Sequence, residues 1–223
     1  MTSVRVAARR PASRSCVAPR IDTKEPLGAE DRRLLNDSPA IIGIDEVGRG
    51  ALAGPVVVCG VRFTEIPHHR GIRDSKKISE TRRNLASQWG RQHCDAWVIV
   101  EVWPEVIDRV NILEATRRAM RTAVGSLNRG GDAVVVDAVN LGPGYESILS
   151  PIKADERYFC VAAASNVAKV HRDALMVELA TSYPWWEWER NKGYGTPGHL
   201  AGVAGHGRSC LHRRSFRCSP VVP

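Results

Sequence analysis

The chain has 223 residues, of which 43% are hydrophobic and 25% are charged, and its net charge is +8 at pH 7. This composition predicts a soluble globular protein with one main hydrophobic core. No segment approaches the ~20 apolar residues needed to cross a bilayer, and the first twenty residues lack the apolar centre of a secretory signal. These features argue against membrane and secreted proteins, and we expect a cytoplasmic location with no membrane partner.

Basic residues are concentrated towards the two ends of the chain. Residues 1–20 contain five arginines, residues 190–223 contain six lysines and arginines, and neither range contains an acid. The residues between them are therefore net acidic. A basic C-terminal segment beside an acidic body suits a polyanionic partner, although a solubilising surface would have the same composition.

The N-terminal part of the chain, residues 1–38, lacks hydrophobic periodicity and contains scattered Pro, Ser and Arg. We expect a mostly disordered basic leader here. The first twenty residues, rich in Arg, Ser and Ala, also resemble an organellar transit peptide, which is the alternative interpretation.

Three apolar runs then predict three strands in close succession, at residues 40–45, 55–63 and 96–102. The polar segment between the second and third predicts a helix that is capped by Ser79 and ends near His93.

A second helix is predicted at residues 112–127, because Asn111 and Glu114 have the spacing of a capping pair. DAVVVDAV predicts a fourth strand, and ILSPIKAD predicts a short fifth strand that ends at Asp155. A long helix follows and stops at Pro184. Strands that come first in succession and then alternate with helices predict a mixed sheet with helices on its faces.

Acids occur at the ends of these apolar strands: Asp45 and Glu46, then Asp137, then Asp155. The carboxyl ends of parallel strands meet in one crevice, so the acids can converge there. Clustered carboxylates repel by about 4 kcal/mol per pair at ~4 Å and an effective dielectric of 20, so they need cations between them. An all-oxygen ligand set favours Mg²⁺ over zinc. The alternative is that each acid is an ordinary strand-end residue.

Several motifs give the sequence a family resemblance. GIDEVGRGALAGPVVV, DSKKIS, NILEATRRAM, VVVDAV, KADE, AAASNVAKVHRD, NKGYGT and HRRSF resemble, in the same order, those of ribonuclease HII, the bacterial type 2 ribonuclease H. The similarity extends from about Ile41 to Phe216.

The resemblance implies an α/β, ribonuclease H-like fold: a mixed five-stranded sheet flanked by helices, with a small helical C-terminal segment. The corresponding domain boundaries are a leader at 1–38, a catalytic domain at 39–183 and a substrate-binding segment at 184–223.

The activity that the resemblance implies is endonucleolytic hydrolysis of the RNA strand of RNA/DNA hybrids. It also implies nicking of duplex DNA 5′ of a single embedded ribonucleotide, as in ribonucleotide excision during DNA replication and repair. Two Mg²⁺ or Mn²⁺ ions would take part, and the products would be a 3′-hydroxyl and a 5′-phosphate. By motif, the resemblance gives Asp45, Glu46, Asp137 and Asp155 as the metal-binding and catalytic acids.

Asp173 is an alternative to Asp155 as the fourth acid. An ion pair with Lys169 in the long helix is a simpler explanation of why Asp173 is present.

Substrate contacts are also implied by the resemblance. The GRG loop would contact the ribose 2′-hydroxyl, Tyr194 would stack on the sugar, and small donors and cations would contact phosphates. These residues are Gly48, Arg49, Gly50, Ser75, Lys76, Ser165, Lys169, Lys192, Tyr194, Arg213 and Arg214.

Two features depart from the family pattern. Ala138 stands where glycine is expected, which would narrow the space beside Asp137. Trp185, Trp186 and Trp188 form an unusual tryptophan run, for which we favour core packing over a platform for the duplex.

Two other functions stay open at this stage: a related nuclease of the same fold that acts on DNA junctions or on long hybrids only, and a non-catalytic nucleic-acid-binding module. We expect a monomer. The C-terminal residues CSPVVP do not resemble a sliding-clamp-binding peptide.

Overall fold

A computed structural model describes residues 5–9, 27–67, 72 and 79–218. The central sheet has the strand order β1-β4-β3-β2-β5. Strands β2 (Ile41–Val47), β3 (Val56–Phe63) and β4 (Ala96–Val102) form an antiparallel meander, and β5 (Ala133–Val136) pairs with β2 in parallel. The predicted mixed sheet, antiparallel on one side and parallel beyond, is confirmed.

The predicted strand at ILSPIKAD is wrong. Leu149 makes a single bridge to Val135, and the chain then enters a short helix, α5 (Ala154–Arg157). A strand needs a continuous partner edge, whereas this segment follows β5 for only a few residues. Four of the five predicted strands are therefore present, and the remaining strand of the sheet is β1 (Arg5–Arg9), paired antiparallel with β4.

Two layers of helices cover the sheet. One core cluster lies between the sheet and α6 (Phe159–Ser182), with α2 (Glu80–His93) packed on that helix. The other lies under α4 (Ile112–Leu127), which follows α3 (Pro104–Val110). The predicted caps are confirmed, since the side-chain oxygens of Ser79 and Asn111 accept hydrogen bonds from the first turns of α2 and α4.

α6 crosses the sheet very close to β2. A Cβ on Gly43 would stand 2.2 Å from the backbone carbon of Cys160, so any side chain there would push the helix away. This close approach places the first half of α6 directly over the acidic end of β2.

The expectation of a disordered leader is wrong for part of residues 1–38. Besides β1, residues Ala29–Asn36 form helix α1, whose Asp31 is fully buried. Its carboxylate accepts hydrogen bonds from the N–H groups of Phe159 and Cys160, at 2.8 and 2.9 Å. These amides open α6 and have no partner inside the helix, so α1 caps α6. Residues 1–4 and 10–26 lie outside the described part.

The C-terminal segment is helical, as predicted: a 3-10 turn (Pro184–Trp186), α7 (Trp188–Asn191) and α8 (Pro197–His206). Trp186 and Trp188 are buried in its small core and stack at 5.4 Å, which confirms packing for these two. Trp185 is 56% exposed and stacks on His206. Among the described residues no helix is long and apolar enough to cross a membrane.

Replacing Asp31 with Ala is expected to lower the free energy of unfolding by about 2 kcal/mol, because two buried N–H groups lose a charged acceptor. Asp37→Ala, at the exposed end of the same helix, should change it by less than about 0.5 kcal/mol. Urea unfolding of the two variants makes the comparison, and equal losses would contradict the capping role.

Candidate active site

The register of β2 and β5 brings two of the predicted acids side by side. Ile44 pairs with Val136, and the N–H of Asp137 donates to the Ile44 carbonyl at 3.2 Å. Asp45 and Asp137 are therefore the next residues on two adjacent parallel strands. Glu46 follows Asp45 on β2, and its N–H donates to Asp45 Oδ1 at 2.8 Å.

Asp155 reaches this region by a different route from the predicted strand. Asp137 Oδ1 accepts a hydrogen bond from the N–H of Ala154 at 2.8 Å, which ties the start of α5 to the end of β5. Asp155 is the next residue and is only 3% exposed. The turn into α5 requires Lys153 in the left-handed conformation, with φ 57°.

The three acids on the strand ends affect one another's charge. Burial, then the negative charges of Glu46 and Asp137, raise the pKa of Asp45 well above its usual value, opposed by a hydrogen bond from Ser165. Burial also raises the pKa of Glu46, with Asp137 adding to it and Arg49 opposing it. The site therefore holds more negative charge than its surroundings stabilise.

Two of the predicted substrate contacts lie beside these acids. Ser165 is 5% exposed, and its hydroxyl bonds to the Asp45 carboxylate. The phosphate contact at Ser165 stays a prediction. Arg49 Nη1 lies 3.3 Å from Glu46 Oε1, and its side chain is 40% exposed.

The donor set suits a hard cation. Glu46 Oε2 is buried and accepts no hydrogen bond from any of the described residues, so it can accept from a ligand. The nearby donors are carboxylate oxygens, the ligands that Mg²⁺ and Mn²⁺ prefer. In the side-chain positions of the described residues, no three His, Cys, Asp or Glu groups enclose a single ion. The metal site is therefore still a prediction.

The GRG loop after Glu46 is held from behind by a buried cation. Arg213 is 1% exposed, and its guanidinium donates to the carbonyls of Gly48, Arg49 and Gly54 at 2.7 to 3.1 Å. Burial and the neighbouring Arg172 lower its pKa to about 9. The described hydrogen bonds of Arg213 go to the main chain, and the phosphate contact at this residue stays a prediction.

The sequence prediction missed Arg172, the second buried cation. It is fully buried in α6 and donates to the carbonyls of Pro55, Lys192 and Ala53 at 2.9, 2.8 and 3.2 Å. A Cβ on Gly48, which has φ +87°, would stand 2.1 Å from Arg172 Nε. Gly48 is thus required by backbone conformation and by this guanidinium. An arginine within the apolar pattern of α6 was the available signal.

The same loop is joined to the C-terminal segment. The N–H groups of Leu52 and Ala53 donate to the Gly193 carbonyl at 2.8 and 3.2 Å. Tyr194 follows, and the Arg172 guanidinium lies 5.4 Å from its ring centroid. The structure therefore brings the GRG loop and Tyr194 together, as the family resemblance implies.

Four other predicted contacts are surface or partly buried residues. Gly50 is exposed. Lys169 forms the expected ion pair with Asp173 at 2.8 Å. The choice of Asp155 over Asp173 as the fourth acid stays a prediction. The Lys192 ammonium donates to the Glu189 carbonyl. Arg214 is exposed, and its N–H donates to Asp108 at 2.9 Å. Ser75 and Lys76 lie outside the described residues.

Ala138, which replaces the expected glycine, has φ +49° and an exposed side chain. Its cost is conformational, since a left-handed residue with a Cβ is strained by roughly 1 kcal/mol relative to glycine.

Comparison with known proteins agrees with this geometry. The model of the family described as Ribonuclease HII matches residues 42–218. A ribonuclease HII of Pelodictyon phaeoclathratiforme is 42% identical over 193 residues, covering 82% of this chain and 92% of the relative.

Two solved structures share the fold. The ribonuclease H2 of Pyrococcus horikoshii has a TM-score of 0.68 at 25% identity, covering 80% of this chain and 94% of that one. The ribonuclease HII of Archaeoglobus fulgidus, solved in a complex with PCNA, has a TM-score of 0.67 at 27% identity, covering 79% of this chain and 95% of that one.

The fold and the acidic strand ends define a nuclease of the ribonuclease H class. The chain belongs to the ribonuclease HII family. It is an endoribonuclease H that acts on RNA/DNA hybrids.

Arg213→Lys is expected to lower the free energy of unfolding by about 2 to 3 kcal/mol, because lysine keeps the charge but cannot reach three carbonyls at once. The matched control is Arg214→Lys, at the exposed neighbouring position, which should leave stability within about 0.5 kcal/mol of wild type. Guanidinium unfolding measures both, and a harmless Arg213→Lys would contradict the loop-holding role.

Proposed function

We propose that the protein hydrolyses the RNA strand of hybrids and also nicks duplex DNA on the 5′ side of a single ribonucleotide, leaving a 3′-hydroxyl and a 5′-phosphate. The observation that carries this proposal is the joining of three parts into one surface. The acids at the ends of β2 and β5 continue directly into the GRG loop, and that loop is bonded to the segment that carries Tyr194. One nucleotide can therefore meet all three.

Asp45, Glu46, Asp137 and Asp155 would hold two Mg²⁺ or Mn²⁺ ions. When bound, such ions activate a water for attack on the phosphate and stabilise the leaving 3′ oxygen. The buried, unpartnered Glu46 Oε2 and the raised pKa values of Asp45 and Glu46 support this assignment, because a cation would relieve both. Ser165 orients Asp45 through its hydroxyl, and the Ala154 N–H orients Asp137.

Recognition of the ribose would rest on the backbone of the GRG loop. Gly48 has a structural reason to be glycine, but no atom of the described residues lies within 4 Å of where a Cβ on Gly50 would stand. The packing of the described residues therefore does not account for Gly50. A ligand that approaches this backbone closely would account for it, and the 2′-hydroxyl is the group that distinguishes RNA from DNA. The ring of Tyr194 would stack on the adjacent sugar.

The phosphate contacts that fit the structure best are Arg49 and Arg214, with Lys169 and Lys192 able to exchange their present partners for phosphate oxygens. Such contacts supply affinity and register rather than sequence choice.

We propose a monomer in solution. The Archaeoglobus fulgidus relative forms a complex with PCNA, but the C-terminal residues here still give no support for a sliding-clamp contact.

The first functional test is cleavage of a duplex with one embedded ribonucleotide, beside a long hybrid and an all-DNA duplex. The wild type should cut the first two, and Asp45→Asn or a chelator should abolish cutting. Hybrid binding should survive in Asp45→Asn, because one fewer carboxylate repels the phosphates less. Asp37→Asn, a change to an exposed acid away from the site, is the control. Equal cutting of all-DNA duplex would reject the 2′-hydroxyl assignment, and activity that resists chelator would reject the metal site.

Gly50→Ala tests ribose recognition without disturbing the fold. The protein has room for the added methyl group, so stability should be unchanged, while cutting at the embedded ribonucleotide should fall about tenfold, equivalent to a contact of about 1.4 kcal/mol. Gly125→Ala, at another glycine with open surroundings, should leave cleavage unaltered. Steady-state kinetics on the same duplex measure both variants, and unchanged kinetics for Gly50→Ala would contradict the proposed contact.

A further inference from the structure

Two histidines lie in direct contact in the small core of the C-terminal segment, away from the acids. His199 is 0% and His212 is 2% exposed, and their Nε2 atoms are 3.0 Å apart. Each ring also has a hydrogen-bond partner at its Nδ1 atom. Because these flanking partners have fixed roles, they determine where each proton lies.

The partners of His199 assign its tautomer. Its Nδ1 lies 2.9 Å from the carbonyl oxygen of Tyr194, which can only accept, so Nδ1 carries the proton. Its Nε2 receives the indole N–H of Trp188 at 3.2 Å, which can only donate, so Nε2 is an acceptor. His199 is therefore neutral with its proton on Nδ1.

The partners of His212 assign the opposite tautomer. Its Nδ1 receives the backbone N–H of Ser209 at 2.9 Å, so this atom accepts. The proton must then lie on Nε2, which donates to Nε2 of His199. Burial lowers the pKa of both rings, and for His212 the neighbouring His199 and Arg208 bring it to about 4. Both rings are therefore neutral near pH 7.

These bonds form one directed chain from Ser209 through His212 and His199 to the carbonyl of Tyr194. The same carbonyl also accepts from the Thr196 N–H at 2.8 Å, and the Tyr194 N–H donates to the Asn191 carbonyl at 3.0 Å. The Arg172 guanidinium lies over the ring of Tyr194. The backbone of Tyr194 is thus fixed from the C-terminal core, and its ring is fixed from α6.

We propose that His199, held in one tautomer by His212 and Trp188, is a positioning residue that sets the backbone of Tyr194 and thereby the ring that stacks on the substrate. This inference rests on the proposed function of Tyr194. A neutral imidazole suits the task because it is a rigid ring with a donor on one side and an acceptor on the other. An Asn side chain would place only the donor correctly, and a Gln side chain would place only the acceptor correctly.

The tautomers can be read without substrate. Two-bond ¹H–¹⁵N correlation spectra of the full chain at pH 7 should show His199 protonated on Nδ1 and His212 on Nε2. The opposite tautomer on His199, or a charged ring on either residue, would overturn the inference whatever the enzyme cleaves.

Two variants separate positioning from stability. His199→Asn keeps a donor near the Tyr194 carbonyl but leaves the N–H groups of Trp188 and His212 without an acceptor. His199→Gln keeps that acceptor and loses the donor. We expect His199→Asn to be the less stable protein but to keep kcat/KM within about threefold, and His199→Gln to be more stable but to lose about tenfold in kcat/KM, mainly through KM.

A background of Tyr194→Ala completes the test, since a residue that acts through Tyr194 has nothing left to position there. The loss from His199→Gln should disappear in this background. The inference would be overturned if kcat/KM fell in proportion to stability in both variants. It would also be overturned if His199→Gln caused the same loss of kcat/KM in the Tyr194→Ala background. If the wild type fails to cut the embedded ribonucleotide, the proposed function fails. The NMR measurement of the tautomers still tests the hydrogen bonding of His199 and His212 in that case.

Discussion

Repulsion between carboxylates at the end of β2 is the constraint that the rest of the site must meet. The parallel register with β5 places Asp137 beside Asp45, and Glu46 follows directly in the chain. Burial and mutual repulsion raise the pKa values of Asp45 and Glu46, so these carboxylates are costly to keep ionised without a cation. Hydrogen bonds from Ser165 and Ala154 offset part of this cost. A divalent cation would offset the rest and would turn a destabilising cluster into a reactive one.

Two buried arginines stabilise the GRG loop, which follows the repelling carboxylates in the chain. Arg172 and Arg213 have main-chain carbonyls as their partners in place of acids. Their donors hold the loop between the acids and Tyr194, and these hydrogen bonds therefore set the spacing between the acids and Tyr194. A guanidinium that is removed from water needs other acceptors, and these main-chain carbonyls supply them, so the two side chains can be completely enclosed.

Much of the fold could be predicted from local patterns. The strands, the two capped helices and the mixed sheet follow from hydrophobic periodicity and from Ser79 and Asn111. Predictions failed where the deciding partner is distant in sequence. α1 is ordered because Asp31 caps a helix 128 residues further along the chain, and no local pattern in the leader indicates this. The segment before Asp155 has the composition of a strand but lacks a continuous partner edge.

The site shows the same division. The convergence of Asp45, Glu46 and Asp137 could be predicted because an acid that ends an apolar strand is unusual in itself. The main-chain partners of Arg172 and Arg213 could not be predicted, because sequence does not distinguish a guanidinium that binds carbonyls from one that binds phosphate. The histidine pair was equally hidden, since His199 and His212 are 13 residues apart and meet only through packing of the C-terminal segment.

The most direct test of the account is the thermal unfolding of wild type and Asp45→Asn with and without Mn²⁺. The account predicts that Asp45→Asn is the more stable protein without metal, since one repelling charge is gone, and that saturating Mn²⁺ stabilises only the wild type. A metal-free Asp45→Asn that is less stable than wild type, together with equal stabilisation of both proteins by Mn²⁺, would contradict it.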